Sequence, residues 1–261
     1  MSDPNMISIV IPAKDEVVAI APLIEEVGAV LSGENFEVIV VDDGSTDGTD
    51  AKLRELAARC NWLIPLHNKV SAGQSASIRK GVRFAHGRLI VTLDGDGQNP
   101  PDQIPALLAP FRSTAPEVCA LGLVQGQRIL RRDTVAKRFA SRFANGLRGA
   151  LLRDNIRDSG CGLKAFRREA YLDLPWFDHI HRFMPAMMLR EGWRVETVDV
   201  THRERQGGQS KYSNLRRGLV GIPDLLGAAW LIMRKGPPRH EECGPVPVAG
   251  SHGKARPGAV Q

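Results

Sequence analysis

Short β-branched runs alternate along this chain with longer stretches whose apolar residues recur every three or four positions. That alternation predicts βαβ units around a largely parallel sheet. Residues 7–11 (ISIVI) read as the first strand and residues 16–31 as the helix after it. Residues 37–41 read as the second strand, and its apolar run stops at Asp42-Asp43-Gly44-Ser45. Residues 46–58 then read as a helix with Asp and Thr at its start, where N-caps belong. Residues 62–66, 73–85 and 89–93 complete a further strand, helix and strand, ending in acid at Asp94-Gly95-Asp96. Ligands of open α/β sheets bind beyond the carboxyl ends of the strands. The clusters Lys14-Asp15-Glu16, Asp42-Asp43 and residues 94–98 are therefore expected to converge on one rim.

The second half has a different texture. Residues 118–124 read as a strand and residues 133–152 as a basic amphipathic helix, with Val135, Phe139, Phe143, Leu147 and Leu151 at four-residue spacing. Residues 180–191 are helical in pattern, residues 194–200 form a strand, and residues 203–213 form a polar, glycine-rich loop. Residues 218–233 are apolar and bracketed by Arg216-Arg217 and Arg234-Lys235. Containing Pro223 and Asp224, they are short of the about 20 apolar residues that a spanning helix needs. A helix lying in the plane of a membrane interface fits them better. Residues 236–261, rich in Pro, Gly and charge, are expected to be disordered.

A chain of 261 residues, 43% hydrophobic, suits one large α/β domain with short additions. Cys60, Cys119, Cys161 and Cys243 are widely spaced. They read as thiols of a reducing compartment rather than a disulfide framework or zinc site. The first residues carry neither a basic stretch nor a long apolar run, so no secretory signal is expected and cytosolic synthesis follows. Net charge is +6, and much of the excess falls between Arg128 and Arg168. Such a surface suits nucleotides, nucleic acid or anionic lipid headgroups. Only 5% of residues are aromatic, and Phe139 and Phe143 within that run fall on its apolar stripe rather than interleaving as base-stacking platforms, so no nucleic-acid partner is expected.

The chemistry centres on Asp94-Gly95-Asp96. Two carboxylates at i and i+2 after a buried strand can reach one hard cation, Mg²⁺ or Mn²⁺. Gly95 allows the tight turn between them, and Gln98 offers a further oxygen. Such a cation is held by one or two carboxylates plus substrate phosphates, which points to a diphosphate ligand. The plainer reading is an acidic turn capping a helix near Pro101. Asp43 reads either as a turn residue or as an acceptor for the base or ribose of a nucleotide. No GxGxxG follows the first strand and no GxxxxGK[ST] occurs, which disfavours dinucleotide cofactors and P-loop hydrolases. His181, before the apolar FMPAMML, reads as a packed structural residue rather than a catalyst.

The runs SIVIPAKDE, VVDDGSTDGT, AGQSASIRKG and TLDGDGQNPPDQIP, in this order, resemble family-2 glycosyltransferases of GT-A fold. The later RDSGCGLKAFRRE, HRFMP and RQGGQSKY resemble more particularly the dolichol- or polyprenyl-phosphate mannose synthase group. The resemblance spans roughly residues 6–234. Taken with the apolar segment and the tail read above, it gives an expected catalytic domain over residues 1–213, a membrane-associating amphipathic helix over 214–235 and a disordered tail over 236–261. By that resemblance Pro12, Glu16, Val41 and Asp43 hold the donor nucleotide, with Gly95 and Arg128 beside it; Lys14, within the same motif, is counted with them as a nucleotide-side residue. Asp94, Asp96 and Gln98 match the metal- and diphosphate-binding set, Asp96 also counting as catalytic. Arg205 and Lys211 match basic residues of a loop that closes on the phosphates. Asp158 matches a position assigned to a catalytic carboxylate or acceptor-side residue. PAKDE stands where an aromatic residue and an asparagine are commoner, a departure that bears on nucleotide preference.

The resulting expectation is a mostly parallel, Rossmann-like α/β domain that moves a hexose, with inversion, from a nucleotide-sugar to a polyprenyl phosphate. The work is placed at the cytoplasmic face of the cell membrane, with peripheral contact and homo-oligomerisation left open. A phosphate acceptor is already ionised, since its second pKa is about 6, so a strong general base is less needed. Three rivals stand beside this reading: a transferase acting on a glycan, a sugar-phosphate nucleotidyltransferase and a non-catalytic binding module.

Overall fold

The computed structural model describes residues 3–113, 120–129, 149, 151–152, 154, 156–203 and 214–234. Arg205 and Lys211, most of the 133–152 segment and the tail 236–261 lie outside the described residues. Seven strands form one sheet: β1 (Asp3–Ala13), β2 (Phe36–Asp42), β3 (Leu63–His67), β4 (Gly87–Thr92), β5 (Leu121–Arg128), β6 (Lys164–Arg167) and β7 (Arg194–Val200). Their order is β3-β2-β1-β4-β6-β5-β7. Strands β1 to β4 are mutually parallel, β5 and β7 are parallel, and β6 runs against both of its neighbours, β4 and β5.

The period-2 pattern of the central strands sends alternate residues into two cores. Ile9 and Ile11 of β1 and Val38 and Val40 of β2 face α1 (Ile20–Val30), α2 (Thr49–Ala57) and α4 (Ile104–Leu108). Val10, Ile39 and Val41 face α3 (Gln74–Phe84), α5 (Arg168–Leu172), α6 (Ile180–Arg190) and Ala228 of α7 (Asn214–Met233). Burial on both faces explains why these strands read as near-continuous apolar runs.

Two features depart from the pattern. The first helix begins at Ile20, because the residues before it build a turn. Asp15 takes a left-handed φ of 55°. Its N–H donates to Ser45 Oγ at 2.8 Å, and its carboxylate accepts the Thr46 N–H at 2.8 Å. The strand β6 and helix α5 were not anticipated, since four residues (KAFR) are too few to show an alternation. The apolar segment near the end of the described chain is helical through Pro223, as α7. Asp224 is no anomaly in it, since its Oδ2 and His179 Nδ1 share a hydrogen bond of 2.7 Å. Among the described residues no helix is long and apolar enough to cross a membrane.

Candidate active site

Parallel pairing brings the ends of β1, β2 and β4 to one edge, where a cleft of about 870 Å³ opens. Nine sequence-predicted residues line it: Pro12, Lys14, Glu16, Asp43, Asp94, Gly95, Asp96, Gln98 and Arg128. Val41 lies one layer back, fully buried in the core beneath α3. Arg203, two residues before Arg205, donates its N–H to the Gln98 carbonyl at 2.9 Å. It also pairs with Glu26 at 2.7 Å, which holds Arg203 beside the 94–98 turn.

Asp43, just after β2, organises the neighbouring loop. Its carboxylate accepts from Asn68 Nδ2 (2.9 Å), Ser71 Oγ (2.7 Å), Ala72 N–H (2.8 Å) and Gly73 N–H (2.9 Å). Burial pushes its carboxyl upward, but these bonds outweigh burial and hold it at about 2. The loop it fixes delivers Gly73, Gln74 and Ser77 to the cleft wall.

Asp94 and Asp96 form the acidic floor. Asp94 accepts from Gln74 Nε2 at 2.8 Å and Asn99 Nδ2 at 3.3 Å, and Asp96 Oδ1 accepts the Gln98 N–H at 3.1 Å. Burial, then the Asp96 charge, push the Asp94 carboxyl above the usual carboxylate range. Behind it, a Cβ on Gly162 would overlap the Asp94 carboxylate, so the backbone there makes a cradle that only glycine permits. Asp94 and Asp96 offer hard carboxylate oxygens to the cleft, a donor set whose chemistry fits a divalent cation. Asp42, Asp50 and His67 also bring ligand atoms within 4.8 Å of one another. They do not line the cleft, and Asp42 already accepts from Ser45 and bonds His67 at 2.7 Å.

Arg128, at the end of β5, reaches the cleft with its guanidinium clamped by Asp158: Nε to Oδ2 at 2.5 Å and Nη2 to Oδ1 at 2.8 Å. That bidentate bond raises the Arg128 pKa further and leaves Asp158 behind the arginine rather than on the cleft wall.

Lys164 and His181 are among the cleft residues that sequence reasoning missed or set aside. Lys164, which closes the SGCGLK run, is buried on β6, and burial draws its ammonium below the lysine range. It donates to the carbonyl oxygens of Cys161 and Ser159, fixing the turn that carries Gly162. A lysine opening a strand otherwise ready for the core was the available signal. His181 lines the cleft from α6, with its Nδ1 bonded to the buried Ser75 hydroxyl at 2.7 Å. Burial lowers its pKa to about 3, so the ring there is neutral. Cys161 is fully buried, and burial raises its thiol, in keeping with an idle cysteine.

Residues 8–174 match the model of glycosyl transferase family 2. A dodecaprenyl-phosphate galacturonate synthase of Rhizobium johnstonii is 33% identical over 240 residues, covering 90% of this chain and 69% of that protein. An undecaprenyl-phosphate 4-deoxy-4-formamido-L-arabinose transferase of Proteus mirabilis is 33% identical over 216 residues, covering 81% of this chain and 64% of that protein. The chain thus spans about two thirds of the length of these relatives. Glucosyl-3-phosphoglycerate synthase of Mycobacterium tuberculosis, solved with Mg²⁺ and UDP, superposes with a TM-score of 0.65 at 20% identity, covering 90% of this chain and 81% of that one. The same enzyme with Mn²⁺, UDP-glucose and phosphoglyceric acid gives 0.66 at 18% identity, covering 89% and 81%. The fold is that of the GT-A enzymes.

Proposed function

The chain belongs to glycosyl transferase family 2, and we propose that it transfers a sugar, with inversion and with a divalent cation, from a nucleotide-sugar to a polyprenyl phosphate. The observation that carries this is the acid pair Asp94 and Asp96, set at the carboxyl edge of the sheet in a cleft shared with Pro12, Asp43 and Arg128. Polyprenyl phosphate stands in the names of both relatives above, whereas their sugars, galacturonate and 4-deoxy-4-formamido-L-arabinose, differ. The proposal therefore specifies the acceptor class and leaves the hexose as one case of the donor sugar.

Pro12, Lys14, Glu16 and Asp43 are the candidate contacts for the nucleoside, with Asp43 acting mainly through the loop it holds. Asp94, Asp96 and Gln98 would hold Mg²⁺ or Mn²⁺, which when bound neutralises the diphosphate leaving group. Arg128, with Arg205 and Lys211 of the following loop, supplies further positive charge for the phosphates. In the transfer an acceptor phosphate oxygen bonds to the anomeric carbon as the carbon–oxygen bond to the nucleoside diphosphate breaks. The acceptor oxygen is already ionised, so no side chain has to remove a proton from it. Asp158, tied at both oxygens to Arg128, suits a positioning role better than that of a base. Peripheral membrane contact through α7 is supported by exposed Ile222, Leu226, Trp230 and Met233 along it.

The test is a screen of GDP-mannose, UDP-glucose, UDP-galacturonate and UDP-N-acetylglucosamine with Mg²⁺ or Mn²⁺, with and without polyprenyl phosphate. Nucleoside diphosphate release and extractable glycolipid are followed. Release is expected to need both cation and lipid, and to fall by on the order of 10²-fold or more in Asp96→Ala. Turnover with soluble glycans but never with lipid would refute the acceptor and leave the transferase standing.

A further inference from the structure

The two sides of the sheet present different surfaces. Exposed large apolar side chains on the described helices lie on α3 and α7, at Phe84, Ile222, Leu226, Trp230 and Met233, with Trp176 just before α6; on the other side Val18, just before α1, is exposed. None of the large exposed apolar residues sits on α1, α2 or α4. On that second side basic residues are matched by acids, as in Arg54–Asp50 at 2.9 Å, Lys52–Glu55 at 2.9 Å and Arg112–Glu34 at 2.8 Å. Helix α3, by contrast, carries Arg79, Lys80 and Arg83 and no acidic residue. Arg79 lies over the Trp176 ring, 4.7 Å from its centre, and Arg234 lies 5.8 Å over Trp230. Arg168 spends its guanidinium on the carbonyls of Val82 and Arg83.

Between α3 and the approach to α6 is a shallow groove of about 460 Å³, lined by Ala76, Arg79, Lys80, Arg83, Phe84 and Trp176. Lys80 is tied to the His67 carbonyl and Asn68 Oδ1, both at 2.8 Å, so Arg79 and Arg83, one turn apart, are its adjustable cations. Asp178, close to Trp176 in sequence, folds back onto the His179 N–H at 2.8 Å. A guanidinium stacked on an indole uses its face and keeps its in-plane N–H donors for phosphate oxygens. Exposed Trp and Phe beside it suit the boundary between headgroups and acyl chains.

We infer that this groove seats the phosphate headgroup of an anionic bilayer lipid, so that the chain lies on a membrane through α3 and Trp176 as well as through α7. The inference rests on the peripheral-membrane reading above and adds a charge-selective site to it. The aliphatic face of α7 on the same side favours a lipid surface over a nucleic acid, which has nothing to cover it.

Flotation with phosphatidylcholine vesicles and with mixed phosphatidylcholine–phosphatidylglycerol vesicles tests it, using circular dichroism to check folding of each variant. The double variant Arg79→Gln/Arg83→Gln is expected to lose about tenfold or more in partition onto the anionic vesicles, with partition onto the neutral ones unchanged. Arg83→Gln alone, at an exposed site, should lose about fivefold. If the double variant matches the parent while Leu226→Glu/Trp230→Glu detaches, the groove is wrong and the α7 contact stands. If the parent binds neither vesicle, both membrane readings fall. The transferase reading is then judged separately, with a short-chain polyprenyl phosphate in detergent. A deficit of the double variant toward single-stranded oligonucleotide, with vesicle binding intact, would also overturn the assignment.

Discussion

Gly162 leaves the space that the Asp94 carboxylate occupies: a Cβ at position 162 would overlap that group. The Thr92 hydroxyl donates to the Gly162 carbonyl at 2.8 Å, which locks the turn before β6 against the end of β4. The glycine is therefore demanded by the approach of a proposed metal ligand, not by backbone conformation.

Gly162→Ala should push Asp94 off its position. The expected result is a rise in the Mn²⁺ concentration needed for half-maximal transfer and a fall in turnover of about tenfold or more. The fold should lose about 1–3 kcal/mol from overpacking. A metal titration of turnover beside a thermal melt checks both, and an unchanged titration curve would remove Asp94 from the metal set.

The Arg128–Asp158 clamp calls for a double-mutant cycle. Arg128→Lys keeps the charge but loses the planar fork, and Asp158→Asn loses one of the two charge-assisted bonds. If Asp158 acts by positioning Arg128, the double variant is no slower than the worse single variant, and the pH profile keeps its shape. Strictly additive losses with a displaced acid limb would instead give Asp158 a direct part in the reaction.

Asp43 links stability to acid. Its folded pKa of about 2 lies below the unfolded carboxyl value of about 3.9. Its contribution is therefore full above pH 4 and is lost as pH falls toward 2. At neutral pH this is on the order of 2 kcal/mol. Urea unfolding of parent and Asp43→Asn should show a gap at pH 7 that narrows by pH 3. A gap independent of pH would show that hydrogen bonding, rather than charge, carries the effect.

His181 has the opposite ionisation. Burial holds its folded pKa at about 3, below the ordinary imidazole value of about 6.5. As pH drops the unfolded chain takes up the proton first, so stability from this group is full above about 6.5 and declines toward 3. An NMR titration of the ring should show no protonation between pH 8 and 5. A midpoint near 6.5 would mean the Ser75-bonded, buried geometry is not that of the protein in solution.

The local pattern alone placed most strands and helices and marked the rim at Lys14, Asp43 and Asp94. Hydrophobic period and strand-end polarity are properties of neighbouring residues, so they are legible in a string. Asp94 and Asp96 were legible for the same reason, since two residues of spacing put both carboxylates on one turn. The Asp224 that interrupted an apolar helix was visible but unexplained until His179 met it across the fold.

Tertiary structure alone decided the rest. Asp158 is separated from Arg128 by 30 residues and His181 from Ser75 by 106, and no local rule pairs them. Lys164 and Gly162 reach Asp94 because the four-residue β6 inserts antiparallel between β4 and β5, a strand order the alternation cannot announce. The sequence by itself determined which residues could do chemistry at the strand ends, because those choices are local. Which of them touch, and which charges are buried without water to screen them, depends on long-range packing, and only the folded sheet decides that.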